Sequence, residues 1–411
     1  MRNISYFCIV KDNKVMLKNI FLLVILLFAW PATSKAENFG ETDSTQQRPR
    51  ISLITCGPGK EVYSLYGHTA IRVEALQSIG DIVFNYGMFS FHQPFFILRF
   101  VFGLTDYQMA AIPTPAFIAE YSEEGRWVVE QQLNLTPHET DQIINALIRN
   151  WQQEGWTYRY NFFYDNCTTR ARDMLVNNVD GTVVYGNNHG RKDSYRMMVH
   201  QMNGHERWAR FGNDLLLGLQ ADFTTDSIQQ QFLPEHLEKA FANAEIVSEG
   251  QRRPLIIRTD TIVKASAVTA DTEDQASQLF TPLACMILFA AITVAVIFIE
   301  RKTKKRLWGF DTIWVTVTGL GGLILFSMIF SQHPTVRVNL QILLLNPLTL
   351  IFGWPMIKAL RKHHTHWYLK ALPVFTALFL IGAIFQDYAE GMIVLALSLL
   401  IREIYLIKTN E

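Results

Sequence analysis

The apolar positions of the 411-residue chain follow three rhythms, and the rhythm changes along its length. Residues 65–73 and 81–88 alternate with period two, as strands do. Ile71 and Val73 fall on one face of the first strand and His68, Ala70 and Arg72 on the other; Val83, Asn85 and Gly87 share a face of the second. Residues 168–176 carry Ala171, Met174 and Leu175 at helical spacing, with Asp165 or Asn166 placed to cap the helix. A further helix is predicted over residues 234–245, after a loop from 217, packing the same domain and leading to its linker. The segment 89–102 holds Phe89, Phe91, Phe95, Phe96, Phe100 and Phe102, and fits either a core or an exposed lip dipping into lipid.

The last third changes character. Five long apolar runs, at about 279–299, 308–330, 340–360, 372–388 and 392–407, come near the ~20 residues that cross hydrocarbon. The loops at 301–306 and 361–366 are basic, whereas those at 331–339 and 387–391 are not. The positive-inside rule then leaves the domain before residue 279 outside the cytoplasm. The N-terminus agrees: Lys14 and Lys18, an apolar run at 21–30 and Ser34-Lys35-Ala36 predict a signal peptide over 1–36. A periplasmic catalytic domain over 37–260, a linker over 261–278 and a five-helix membrane domain over 279–411 follow, placed as a multi-pass protein in the inner (cytoplasmic) membrane.

Composition narrows the chemistry. The 37 basic and 37 acidic residues cancel, leaving no electrostatic footprint for nucleic acid. No His, Cys, Asp or Glu grouping has metal-ligand spacing, and there is no Gly-rich phosphate loop or Gly-x-Ser-x-Gly elbow, so neither metal nor cofactor is predicted. Of four cysteines, Cys8 lies in the signal region and Cys285 in the first span. Cys56 and Cys167 face an oxidising compartment, where a disulfide is the structural alternative to a reactive thiol. Cys167 sits at the first turn of the predicted 168–176 helix, where unpaired N–H groups and the helix dipole favour a thiolate. His68 is the histidine best placed as its base, with Asn85 across the hairpin to orient the ring. His138, His189, His200, His205 and His236 lie in polar contexts and read as surface residues.

The runs Thr55-Cys56-Gly57-Pro58-Gly59, Tyr66-Gly67-His68-Thr69-Ala70-Ile71-Arg72-Val73, Phe84-Asn85-Tyr86-Gly87 and Tyr164-Asp165-Asn166-Cys167-Thr168-Thr169-Arg170 resemble the N-terminal periplasmic domain of the Lnb family of Bacteroidetes. The C-terminal region, with His333-Pro334 and Asn346-Pro347, resembles that family's membrane domain. The resemblance implies an α+β, circularly permuted papain-like cysteine-enzyme domain, similar to the group that includes lecithin–retinol acyltransferase, followed by a five-helix transmembrane bundle. It implies a lipoprotein N-acyltransferase without a cofactor. Cys167 would be the nucleophile, His68 the base and Asn85 the third polar residue, with Tyr66, Tyr164 and His333 as candidates for oxyanion or substrate contacts. Membrane phospholipids would be the acyl donors and diacylated lipoproteins the acceptors. His333, Arg337, Asn339, Asp387 and Glu390 share the periplasmic side and are candidates for headgroup or amine contacts. A peptidoglycan peptidase or amidase, a phospholipase and a disulfide-bonded scaffold are the rival readings.

Overall fold

The structure, a computed structural model, describes residues 48–61, 64–76, 80–89, 94–152, 157–186, 192–204, 206–266 and 280–410. The predicted signal peptide with Cys8, most of the linker, Phe91, His189 and His205 lie outside the described residues.

The first half is an antiparallel sheet dressed with helices. In chain order it runs β1 (Arg50–Cys56), β2 (His68–Leu76), β3 (Gly80–Met88), α1 (Phe96–Val101), β4 (Asp106–Pro113), α2 (Thr114–Glu123), β5 (Val128–Leu133), α3 (Pro137–Gln152), β6 (Tyr158–Arg159) and α4 (Cys167–Val176). Then come β7 (Thr182–Tyr185), α5 (Tyr195–Met202), α6 (Arg207–Leu216), two 3-10 turns, α7 (Pro234–Ala242), β8 (Ala244–Ser248), β9 (Gln251–Pro254) and β10 (Ile256–Val263). The main sheet has the order β10-β5-β1-β2-β3-β4-β6, and β7-β8-β9 form a second, smaller one. The stretch after residue 217 therefore differs from its sequence reading. The helix stops at Ala242, and three strands follow before the chain leaves the domain.

Alternation gives the sheet two apolar faces. Ile51, Leu53, Ile71, Val73, Ile82 and Phe84 pack under α4 with Ala171 and Leu175. Ile54, Cys56, Ala70 and Val83 pack on the other side with Phe117 and Tyr121 of α2. Arg72 ties three strands together, through Asp81 on β3 at 2.7 Å and Glu130 on β5 at 2.9 Å.

The second half is helical: α8 (Pro282–Thr303), α9 (Trp308–Met328), a short α10 (Pro334–Arg337), α11 (Leu348–Leu360), α12 (Trp367–Gly382) and α13 (Met392–Lys408). By length and composition, Pro282–Thr303, Trp308–Met328 and Pro334–Leu360 can cross a membrane, and Trp367–Gly382 is a shorter apolar helix. The third stretch was expected as one helix from residue 340, but it is broken. Pro347 has no N–H to continue a helix, and the Asn346 side chain accepts from Leu348 N at 3.0 Å to start α11 afresh. Charges lie inside this bundle as well. Arg402 of α13 is fully buried between Glu300 of α8, at 2.8 Å, and Asp311 of α9, at 2.7 Å.

The two halves meet along a polar seam. Asn339 Nδ2 donates to Leu215 O at 2.9 Å, Gln341 Nε2 to Asp214 O at 2.9 Å and Gln386 Nε2 to Leu217 O at 3.2 Å. Backbone joins too: Gly218 N donates to Thr335 O and Leu219 N to Val338 O, both at 2.8 Å. From within the first half Arg196 holds the same stretch, at 3.0 Å from Asp214 and 2.6 Å from Asp222. His200 is a correction to its surface reading. Its Nε2 lies 2.7 Å from buried Asp214, so it belongs to this cluster. Asn339 is a seam residue. Asp387 N donates to the Asp222 carboxylate at 3.3 Å, and Glu390 pairs with Arg207, so both are engaged by the sheet-bearing half.

Removing Arg402 would strand two buried carboxylates. Arg402→Ala is expected to destabilise the detergent-solubilised protein by about 3–5 kcal/mol, whereas Arg402→Met combined with Glu300→Gln and Asp311→Asn recovers most of the loss. Thermal unfolding of the two variants beside the parent checks this.

Candidate active site

The site is built where α4 begins. The turn before it closes on itself, with Asn161 N donating to Asp165 O at 3.0 Å. Asn166 is the N-cap: its side chain accepts from Thr169 N at 2.8 Å, and Thr169 Oγ1 accepts from Asn166 N at 2.9 Å. This reciprocal capping box fixes the first helical residue, which is Cys167. Asp165, the other cap candidate, instead pairs with Arg170 through two bonds at 2.6 and 2.8 Å. Arg170 in turn lies 3.6 Å over the Tyr158 ring.

His68 opens β2 and reaches Cys167 around the end of the sheet. Its alternation partners lie on the α2 face, while α4 covers the other. On the neighbouring strand a glycine, Gly87, leaves room for Cys167. Gly67 has φ +76°, and Gly87 on β3 has φ +89° with its missing Cβ 3.5 Å from Cys167 Cβ. The His68 ring and the Cys167 side chain are neighbours, each shifting the other's titration. Its Nε2 bonds Asn85 Oδ1. The Asn85 amide nitrogen turns toward Met88 Sδ at 3.5 Å, which leaves the carbonyl oxygen facing the ring. Nε2 therefore carries a proton that it donates to Asn85, and Nδ1 is left to face the sulfur.

Electrostatics favour a charged pair. Burial alone would raise the Cys167 pKa, but the neighbouring His68 charge, its hydrogen bond, the Thr69 backbone N–H and the Thr168 hydroxyl together hold it below the ordinary thiol value. Burial alone would lower that of His68. The Cys167 charge and the bonds to Cys167 and Asn85 outweigh it and hold the imidazole above its usual value. Cys56 is the contrast. It lies opposite His68 in the β1–β2 register, is 1% exposed, and burial drives its thiol far upward. Cys56 and Cys167 are both free thiols here.

The remaining candidates separate. The Tyr66 phenol accepts from Asn213 at 2.7 Å, so it is committed to α6, and burial pushes it up to about 12. Tyr164 is 39% exposed and meets the Tyr195 ring edge-on at 5.6 Å between centroids. His333 packs against Gly103, with burial and then Arg337 lowering its pKa. Sequence reasoning passed over the aromatic wall beside the thiol. Tyr107 stacks on Tyr160 at 4.3 Å between centroids, with Phe89 at 5.0 Å from Tyr107. The Cys167 charge acts on the phenols of Tyr107, Tyr158 and Tyr160. The signal available was the density of aromatics around Tyr107 and Tyr160. Among the described residues no group of His, Cys, Asp and Glu could hold a metal ion.

Residues 35–201 match the Lnb N-terminal periplasmic domain, and residues 274–411 match the Lnb transmembrane domain. The chain belongs to the Lnb family. It is thus a membrane protein with a periplasmic N-terminal domain. No curated protein and no solved structure matches the chain significantly.

The two thiols predict opposite reactivities. Iodoacetamide is expected to alkylate Cys167 in the native protein at pH values below the free-thiol range near 8.5, and to leave Cys56 unmodified. His68→Ala removes the ion-pair partner, so the Cys167 alkylation profile shifts to higher pH by about one unit or more. Peptide mass spectrometry after timed alkylation across pH gives both profiles.

Proposed function

We propose that this chain is a lipoprotein N-acyltransferase of the inner membrane that carries an acyl chain on Cys167. The observation that supports it is the Cys167–His68–Asn85 constellation in a periplasmic domain joined through a continuous polar seam to a transmembrane domain. A helix-borne cysteine meeting a histidine from an earlier strand of an antiparallel sheet is what a circularly permuted papain-like enzyme would present. On this reading α8, α9, α11, α12 and α13 are the five spans of a multi-pass protein.

The chemistry follows from the charges. The Cys167 thiolate attacks the carbonyl carbon of a phospholipid ester. The tetrahedral oxyanion is met by backbone N–H groups that the first turn of α4 leaves unpaired, that of Cys167 foremost. As the intermediate collapses the C–O bond breaks, and protonated His68 gives its proton to the departing lysophospholipid alkoxide. What remains is an acyl-thioester on Cys167 and a neutral His68. The free α-amine of a diacylated lipoprotein N-terminal cysteine then attacks the thioester. His68 takes the amine proton, the C–S bond breaks, and the amide leaves with the thiolate–imidazolium pair restored. Conversion of ester to thioester to amide needs no nucleotide and no metal. Asn85 keeps Nδ1 aimed at sulfur through both half-reactions.

Water is the competing acceptor. The tyrosine wall and the buried position of Cys167 would favour an amine delivered from the membrane over bulk water. A phospholipase would release free fatty acid instead, and a peptidoglycan amidase would act on wall fragments without its membrane half.

Expression in a strain depleted of its own lipoprotein N-acylation tests the proposal. Mass spectrometry of a reporter lipoprotein N-terminus is expected to show one added N-acyl chain with the native chain. Cys167→Ser and His68→Ala each lose it by about a hundredfold or more. Native levels of N-acylation by Cys167→Ser would overturn the site. A reporter left unacylated while fatty acid accumulates would overturn the acceptor in favour of hydrolysis.

A further inference from the structure

Three exposed apolar side chains of the periplasmic half fall close together in sequence at α1. Phe95, Leu98 and Phe100 are 78, 56 and 51% exposed. Phe95 also has φ 56°, in the left-handed region that a bulky residue rarely occupies. Such a residue persists only where its surroundings over-determine it, and such outliers cluster at functional elements. The turn is held by Arg99 N donating to Phe95 O at 2.9 Å and Phe102 N to Leu98 O at 3.1 Å. Arg99, the one charged residue of α1, is ion-paired with Asp106. The outward surface of the turn is therefore apolar, with its charge neutralised from behind.

The foot of α1 rests on the membrane domain. Gln332 N donates to Phe102 O at 3.0 Å. His333 packs on Gly103, whose φ is +68° and whose Cβ would come within 3.1 Å of the ring. One step further down, the end of α9 exposes Phe326, Ile329 and Phe330, which are 44, 41 and 65% exposed. A candidate membrane span ends there, at Met328. The apolar surface of α1 thus continues the apolar flank of α9 with only a hydrogen-bonded loop between them. A monomeric soluble surface rarely shows such a patch, whereas an interfacial element in lipid requires one.

We propose that α1 is embedded in the periplasmic leaflet of the membrane, with Phe95, Leu98 and Phe100 among the lipid chains. Chain order then gives the lip a second meaning, which rests on the acyl-transfer reading. β4 follows directly, and its Tyr107 stacks on Tyr160 beside Cys167. A phospholipid lifted at α1 meets the tyrosine wall first and the thiol next, so the lip marks the side from which the acyl donor enters.

Immersion is measurable without turnover. In full-length protein carrying Cys167→Ser and Cys285→Ala, a nitroxide is attached at Phe95→Cys, and separately at Leu98→Cys, Phe330→Cys and Ile257→Cys. Reconstituted in phosphatidylethanolamine–phosphatidylglycerol bilayers, the Phe95 and Leu98 probes are expected to collide with oxygen more than with an aqueous nickel chelate, as at Phe330. The Ile257 probe, on the exposed strand β10, is expected to show the reverse. Phe95 and Leu98 probes behaving like Ile257 would overturn the proposal. A second measurement separates the lip from the chemistry. Phe95→Asp with Leu98→Asp is expected to keep Cys167 acylation by a soluble activated ester and to slow acylation from bilayer phospholipid at least about tenfold. Equal rates from bilayer phospholipid in variant and parent would sink the entry role. Failure of the parent to form any acyl-Cys167 would instead sink the acyl-transfer reading and leave the collision result standing.

Discussion

Arg196 carries a charge that water does not reach, and the join between the two halves of the molecule is organised around it. Its guanidinium engages Asp214, Asp222 and the carbonyls of Leu217 and Gly218, and the side chain is fully buried. A lone buried cation would be prohibitive, so the segment from Asp214 to Asp222 has little freedom to move away from it. From below, Asn339, Gln341 and Gln386 hydrogen-bond the backbone of the same segment. One stretch of chain is thus gripped from both sides. Tyr66, two residues before His68, bonds Asn213 just ahead of that stretch, so the seam lies one side chain away from the histidine strand.

The site uses burial in two opposite ways. Around Cys56 it outweighs the nearby Arg126 charge and keeps the thiol neutral and inert. Around Cys167 it acts together with His68, Thr69 and Thr168, and the attraction between the two charged forms prevails. The distance between these fates is short in structural terms, since Cys56 and His68 sit opposite each other on neighbouring strands. What differs is which partner each sulfur faces. Cys56 lies with Tyr121 and the Arg126 side, and Cys167 lies with an imidazole whose far nitrogen is already anchored to Asn85.

Local signals in the chain were readable, and long-range ones were not. The helix from Cys167 and its cap follow from Asn166 and Thr169, three residues apart, because a capping box is decided within one turn. The meeting of His68 and Asn85 follows from alternation in two strands joined by a short connection. The division into two domains was read from the long apolar runs and the basic loops, and the family resemblance added the enzyme class. By contrast, β9 and β10 escaped notice because Arg252, Arg253 and Arg258 make these strands polar and largely exposed, so no alternation stands out. His200 looked like a surface residue because its partner Asp214 is brought to it by tertiary packing. Arg402 sits near the end of an apolar run, where a charge ordinarily marks the water boundary. Only the bundle shows Glu300 and Asp311 converging on it.

The position of β10 has a consequence for biogenesis. This strand pairs with β5, on the edge of the main sheet, after the chain has made the whole α3–β9 excursion. It is also the last element described before α8 enters the membrane domain. During export the sheet therefore waits for its final strand until the first span is about to reach the translocon. Until then β5 presents an open edge, the kind of surface that recruits chaperones or a neighbouring chain. Folding of the catalytic half and insertion of the helical half are in this way tied to one moment of synthesis, and the exposed edge is covered as the protein becomes anchored.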